Sequence, residues 1–184
     1  MRNIYLLTTL LLCFLTGSVS YAENPRVEPL ELNKEYQVKA AMLYKISWFV
    51  RWETGDFVDK KSPINLCLLE PEPFGAFLDQ IVEGRFFGKN KRPISITRID
   101  QIEDQNSFNA CHVLFIPKAS NVSVPSLPGL LVVTEDRPVT TSQAHINFVT
   151  NNKHVTFEVN MNNLNKNNIR ISSKFLKLAH VVRN

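Results

Sequence analysis

Hydrophobic and polar positions along this chain fall into short blocks with two different periods. From Lys34 to Trp52 there is neither Gly nor Pro. Tyr36, Ala40, Leu43, Ser47 and Val50 make one face of a helix there, and Val38, Ala41, Met42, Ile46, Phe49 and Trp52 make another. So wide an apolar arc predicts a helix packed on a sheet, with Asn33 offering an N-cap oxygen. The run Ile64–Leu69 is apolar almost without interruption, which predicts a strand buried on both faces. Residues 74–83 return to helical spacing after the turn Pro71-Glu72-Pro73. Residues 94–99, 112–116 and 130–134 are further strand candidates, with a short helix or turn near 101–108.

This alternation of strand and helix predicts parallel pairing, right-handed crossovers and helices on both faces of the sheet. After residue 143 the period becomes two. Residues 144–149 and 154–159 alternate in and out around Asn151-Asn152, which tolerates positive φ, so an antiparallel hairpin is expected at one edge. The tail reads as a polar helical turn from Asn160 to Asn168, the link Ile169-Arg170-Ile171, and a last helix capped by Ser172 or Ser173. Phe175, Leu176, Leu178, Ala179, Val181 and Val182 form the buried side of that helix. The expected fold is α/β: a three-layer α/β/α sandwich around a Rossmann-like, mostly parallel sheet with the antiparallel hairpin at one edge.

Charge and composition narrow the function. The 184 residues are 44% hydrophobic and 21% charged, which is the balance of a folded domain and not of a disordered chain. A net charge of +4 without a dense Lys/Arg run gives no footprint for nucleic acid. At the N-terminus, Arg2 precedes an apolar run over residues 4–15, Gly17 breaks it, and Ser20-Tyr21-Ala22 places small side chains where a signal peptidase needs them. Residues 1–22 are therefore expected to be a cleaved signal peptide and 23–184 a single exported domain. A membrane anchor is the rival reading, but it needs about 20 consecutive apolar residues, and Thr8, Thr9 and Thr16 interrupt the run.

Export changes what the cysteines mean. Cys13 leaves with the signal, so Cys67 and Cys111 remain, each beside an apolar run. In an oxidising compartment such a pair forms a disulfide more often than it persists as two thiols, although two buried thiols are the alternative. Closing a loop of about 44 residues stabilises a fold by about 4 kcal/mol in the chain-entropy model.

Catalytic patterns are missing. Gly84 and Gly88 stand alone and build no phosphate loop, His112, His145, His154 and His180 have no metal-ligand spacing, and no G-x-S-x-G elbow or S-x-x-K pair occurs in residues 23–184. No enzyme activity, metal or cofactor is expected. Glu135-Asp136 follows a predicted strand, where α/β folds often bind ligands, but reads most simply as a solvated turn. Arg51, beside Trp52, and Arg170, just before Ser172, are more suggestive, because a guanidinium beside an aromatic ring or a helix start clamps carboxylates. Their plain alternatives are a helix C-terminal charge and a structural ion pair. Trp48, Trp52, Phe86 and Phe87 read as core; any left exposed would mark a binding patch.

Several stretches resemble YfiR-like periplasmic proteins, in the order in which that family has them. They are Glu35 to Tyr44 leading to Phe49-Val50-Arg51-Trp52, Leu66-Cys67-Leu68-Leu69 with Pro73-Phe74-Gly75, residues 110–116, and Val155 to Asn160 through Ile169 to Ala179. The resemblance implies a periplasmic repressor without catalytic activity, which binds the periplasmic sensor region of an inner-membrane diguanylate cyclase and lowers cyclic-di-GMP and biofilm formation. It also implies a homodimer, an outer-membrane lipoprotein that draws the repressor away, and a disulfide that falls on Cys67 and Cys111. The family's second cysteine pair has no counterpart between Ala144 and His154. A family arginine pair that serves a small-ligand pocket falls on Arg51 and Arg170, with Ser172 where a basic ring can follow. Partner or ligand contacts are thus expected at Arg51, Trp52, Glu158, Ile169, Arg170 and Ser172, with an apolar patch near Glu158 and the 169–172 link. The competing reading is a periplasmic small-molecule binding module that serves a sensor kinase or transporter.

Overall fold

The apolar runs pair side by side into the middle of one sheet. The computed structural model describes residues 34–53, 55, 57–88, 90–102, 105–124, 126–137 and 143–183. The expected signal peptide and the lead-in to residue 33 lie outside these residues. In chain order the elements are α1 (Lys34–Ile46), β1 (Val50–Arg51), β2 (Ile64–Leu69), α2 (Ala76–Val82), β3 (Phe86–Phe87), β4 (Arg92–Ile99) and a 3-10 turn (Gln105–Phe108). There follow β5 (Val113–Ile116), β6 (Leu131–Glu135), β7 (Ile146–Asn151), β8 (His154–Asn160), α3 (Met161–Lys166), β9 (Arg170–Ile171), α4 (Ser173–Leu176) and β10 (Val181–Arg183). An eight-stranded mixed sheet runs in the order β10-β8-β7-β6-β5-β2-β4-β3, and β1 pairs with β9 apart from it.

Strands β4, β2, β5, β6 and β7 are mutually parallel; for β4, β2, β5 and β6 this is the pairing that the alternation of strands and helices predicts, and β7, expected only as part of the antiparallel hairpin, also joins β6 in parallel. Alternate residues of the central strands feed two separate cores. Leu66, Leu68, Val113, Phe115, Leu131 and Val133 face α1, α2 and α4 through Ala40, Leu43, Ile46, Leu78 and Phe175. Cys67, Leu69, Leu114, Ile116 and Val132 face the other way, onto Phe108, Cys111, Val124 and Leu130. That second face is covered by a 3-10 turn and a loop, so the expected sandwich with helices on both faces is not present among the described residues. Short side chains on an irregular segment suffice to keep the face dry, because Val122, Val124 and Leu127 pack directly on it.

Three local expectations change. Helix α1 stops at Ile46: the Ser47 hydroxyl donates to the Tyr44 carbonyl at 2.6 Å, and Trp48 and Phe49 close i→i+3 turns on Lys45 and Ile46. The next residues then turn extended, since Val50 pairs with Ile171 and the Ser172 amide donates to the Phe49 carbonyl at 2.8 Å. Arg51 therefore sits on a strand, not at a helix end. The last helix is a single turn, α4, capped by Ser172, and Val181 and Val182 instead add β10 alongside β8. The hairpin β7–β8 is antiparallel as expected but lies one strand inside the edge, with its positive φ at Asn152 and Lys153.

Cys67 and Cys111 are joined, with Cα atoms 5.7 Å apart. The bond ties β2 to the residues that lead into β5, its parallel neighbour.

Candidate functional site

The two-residue ladder β1–β9 sets Arg51 directly opposite Arg170. Directly opposed residues on an antiparallel pair carry their Cβ atoms about 5 Å apart on one face, and like charges placed so are destabilising. Both guanidiniums are exposed. Neither has an ion pair among the described residues. They border a cleft of about 730 Å³ that also takes in Trp52, Glu53, Phe57, Lys60, Phe87, Asn90 and Arg92. Four cations line it against one carboxylate.

The floor is aromatic and braced. Trp52 Nε1 donates to the Gly129 carbonyl at 3.1 Å, and its ring stands edge-on to Phe87 and His112 at 5.9 and 6.1 Å. Phe57 stacks on His112 at 4.7 Å and takes the Arg92 guanidinium on its other contact, 3.7 Å from the ring centroid. Arg92 itself is buried and donates to the carbonyls of Asp59 and Ser62, which holds the loop before β2 over the cleft. His112 Nδ1 accepts the Asn65 amide at 3.1 Å, so a proton on the neutral ring belongs on Nε2. These residues flank the starts of β2, β4, β5 and β6. The cleft thus lies at the N-terminal edge of the parallel strands, opposite the edge where α/β folds usually bind ligands.

The other expected contacts scatter. Ser172 caps α4, its Oγ accepting the Lys174 amide at 3.3 Å. Ile169 is core, 4% exposed, and Glu158 is half-buried on β8, its carboxylate 3.5 Å from Asn147 Nδ2. Large exposed apolar side chains occur instead at Trp48 and Phe86, 50% and 55% exposed, among others. Trp48 packs edge-on against Phe87 of the cleft at 5.5 Å, so part of this apolar surface adjoins the arginines. Phe57, Lys60, Asn90 and Arg92 had no signal in the sequence: the first three lie on turns with no periodicity, Arg92 opens β4, and only the fold brings them to the ladder.

Glu135 is not solvated. It is 1% exposed at the end of β6 and receives Lys39 Nζ at 2.7 Å and the Lys118 amide at 3.1 Å. Lys39, fully buried, also meets Glu35 at 2.6 Å, and Glu35 accepts the Thr150 hydroxyl at 2.8 Å. Burial alone would lower the Lys39 ammonium, but its hydrogen bonds to Glu135 and Glu35 outweigh that and hold its pKa above the usual lysine value. The Lys39 hydrogen bond holds Glu35 below the usual carboxylate range. This group fastens α1 to β6 and β7.

The comparison with curated proteins returned no match. The model of the YfiR/HmsC-like family matches residues 36–180, which takes in both arginines, the disulfide and every strand of the sheet except β10. The chain belongs to the YfiR/HmsC-like family.

Proposed function

We propose that the protein is a periplasmic regulator that represses an inner-membrane diguanylate cyclase by binding its periplasmic sensor region, which lowers cyclic-di-GMP and biofilm formation. Family membership supports the regulatory, non-catalytic character of this reading. The observation that carries the site is the Arg51–Arg170 rung: two like charges face each other, and neither is in a salt bridge among the described residues. An anionic group from the partner or from a ligand relieves that repulsion and is held bidentately. Trp52 supplies the aromatic wall, and Trp48, packed on Phe87 of the cleft, supplies adjacent apolar surface for a partner or for a second copy in a homodimer. Removal of the repressor by an outer-membrane lipoprotein would use the same exposed face.

Crosslinking in intact cells followed by identification of the trapped membrane protein tests the proposal. A diguanylate cyclase trapped by the wild type and lost in Arg51→Glu supports it. A deletion strain with unchanged cyclic-di-GMP and unchanged adhesion overturns it.

The second reading, a small-molecule module that serves a sensor kinase or transporter, is favoured by the size of the cleft, which falls within the about 300–1,000 Å³ of ligand pockets. Thermal-shift screening separates the two. Stabilisation by a carboxylated metabolite that is lost in Arg170→Ala, with no cyclase trapped, selects the module.

A further inference from the structure

Positive charge gathers at one end of the molecule. Residues 45–62 and 83–93 carry eight Lys or Arg against four Asp or Glu, a net +4 that equals the charge of the whole chain, so the remaining residues balance. The fold ties these stretches together. Arg92 donates to the carbonyls of Asp59 and Ser62 at 2.8 and 2.9 Å, Phe87 lies opposite Arg92 on the β3–β4 ladder, and the Trp48 ring packs on Phe87 at 5.5 Å.

Apolar side chains project from the same three segments. Val58 is 98% exposed in the loop before β2, Trp48 is 50% exposed just after α1, and Phe86 is 55% exposed on β3, on the face opposite to Phe87. A single exposed apolar residue is ordinary on a protein surface. Here three of the six large exposed apolar side chains among the described residues share the end that holds the net charge. Each has an exposed cation close along the chain: Lys45 for Trp48, Lys60 and Lys61 for Val58, and Arg85 for Phe86.

This mixture selects among partners. A nucleic-acid backbone would satisfy the cations but offers an aliphatic tip such as Val58 nothing to enter. Protein interfaces are depleted in Lys and gather their apolar residues in one core, whereas these tips stand apart with Lys between them. A bilayer with anionic headgroups suits both features: the headgroups attract Lys and Arg, and separate apolar tips enter the boundary with the acyl chains, where aromatic rings are favoured. We propose that this end of the molecule docks on the surface of a bilayer that contains anionic phospholipid, with Val58, Trp48 and Phe86 entering the headgroup layer. The inference goes beyond the proposed function and does not rest on it, because there the partner is a membrane protein and here it is the lipid.

The test mixes the protein, purified in the form its own cells contain, with sedimentable vesicles of phosphatidylcholine alone or of equal parts phosphatidylcholine and phosphatidylglycerol. Binding is expected on the anionic vesicles and not on the neutral ones, and should weaken as salt rises. Each Lys or Arg near an anionic surface strengthens binding about fivefold, so Lys61→Glu with Arg85→Glu should weaken it by about tenfold or more. Val58→Asp, at a position too exposed to disturb the fold, should weaken it by about fivefold or more. All forms share one N-terminus, so any lipid affinity of that stretch is common to them. No binding to anionic vesicles at low salt, equal binding to neutral ones, or binding unchanged in both variants overturns the inference. Dimers that Val58→Asp dissociates, with vesicles left unbound, would make this end an interface between copies and also overturn it. No cyclase is present in the vesicles, so such a failure leaves the function proposed above standing.

Discussion

Lys39 and the Arg51–Arg170 rung handle positive charge in opposite ways. Lys39 is sealed in the fold between two carboxylates at 2.6 and 2.7 Å. The arginines are exposed, face one another and have no such partner among the described residues. Exposure alone does not explain the difference. Arg98, also on the surface, meets Glu72 at 2.8 Å and Asp79 at 2.6 Å, and its hydrogen bond holds the Asp79 carboxyl below the usual range. This chain pairs its partly exposed arginine where pairing serves the fold. A rung of two unpaired guanidiniums is therefore better explained by something that binds to it than by chance placement.

If Lys39 is structural, removing it should cost far more than removing either arginine. Lys39→Met leaves Glu135 buried with only the Lys118 amide, and breaking such a pair typically destabilises by about 3–5 kcal/mol. Denaturant unfolding measures it. The double substitution Lys39→Met with Glu135→Leu should recover most of the loss, because a well-packed apolar pair avoids the desolvation of both charges. If Lys39→Met is nearly neutral, the contrast between the two regions collapses.

The next effect is read against pH. Burial pushes the His145 ring down to about 4 from an ordinary 6.5. The unfolded chain therefore binds the extra proton first, so stability is full above about pH 6.5 and falls as the pH drops toward about 4. A gap of this size corresponds to about 3 kcal/mol across that window, as an order of magnitude. His145→Gln should flatten that part of the stability curve. Glu35 acts in the same direction at lower pH, since its depressed pKa makes its contribution disappear as the pH falls below about 4.5. Lys39 acts at the other extreme: its raised pKa keeps its contribution intact below about 10.5 and loses it as the pH rises through the folded value. A curve that stays flat from pH 7 to 4 would mean that His145 is charged or solvated in the fold.

A smaller effect belongs to the cleft floor. Trp52→Phe keeps a ring against Phe87 and His112 but removes the Nε1 hydrogen bond to Gly129, a loss of about 1 kcal/mol. Near-neutrality in stability, with any ligand response retained, would restrict Trp52 to a wall. A loss of several kcal/mol would move it from the site to the core.

What could be read in the chain depended on distance along it. The central strands β2, β5 and β6 were legible because burial on both faces makes a strand apolar at almost every position, and Leu66 to Leu69 or Val113 to Ile116 shows this without help from partners. Residues 48–50 were not legible in the same way, because Trp48-Phe49-Val50 suits a helix face as well as a strand. The choice was made by Ile171 and Ser172, far along the chain. Likewise Val181-Val182-Arg183 is too short to show a period, and its strand character comes from β8. The arginines could be singled out one by one, but not as opposed residues on one ladder. Lys39 and Glu135 are 96 positions apart, and nothing local marks either as the other's counter-ion.

The finest test of the contrast is a charge reversal on the rung. If Arg51 and Arg170 merely repel each other, Arg51→Glu replaces a like-charge cross-strand pair with an opposite one and should stabilise the fold by about 0.5 kcal/mol, less at high salt. The same substitution should abolish any response to anionic ligands and any trapping of a partner, because the bidentate clamp is gone. Stability and binding would then move in opposite directions, which is the signature of residues kept for function at the expense of the fold. If instead Arg51→Glu destabilises by more than about 2 kcal/mol, well beyond the usual range for an exposed position, Arg51 is a structural residue like Lys39. The rung would then need a different explanation.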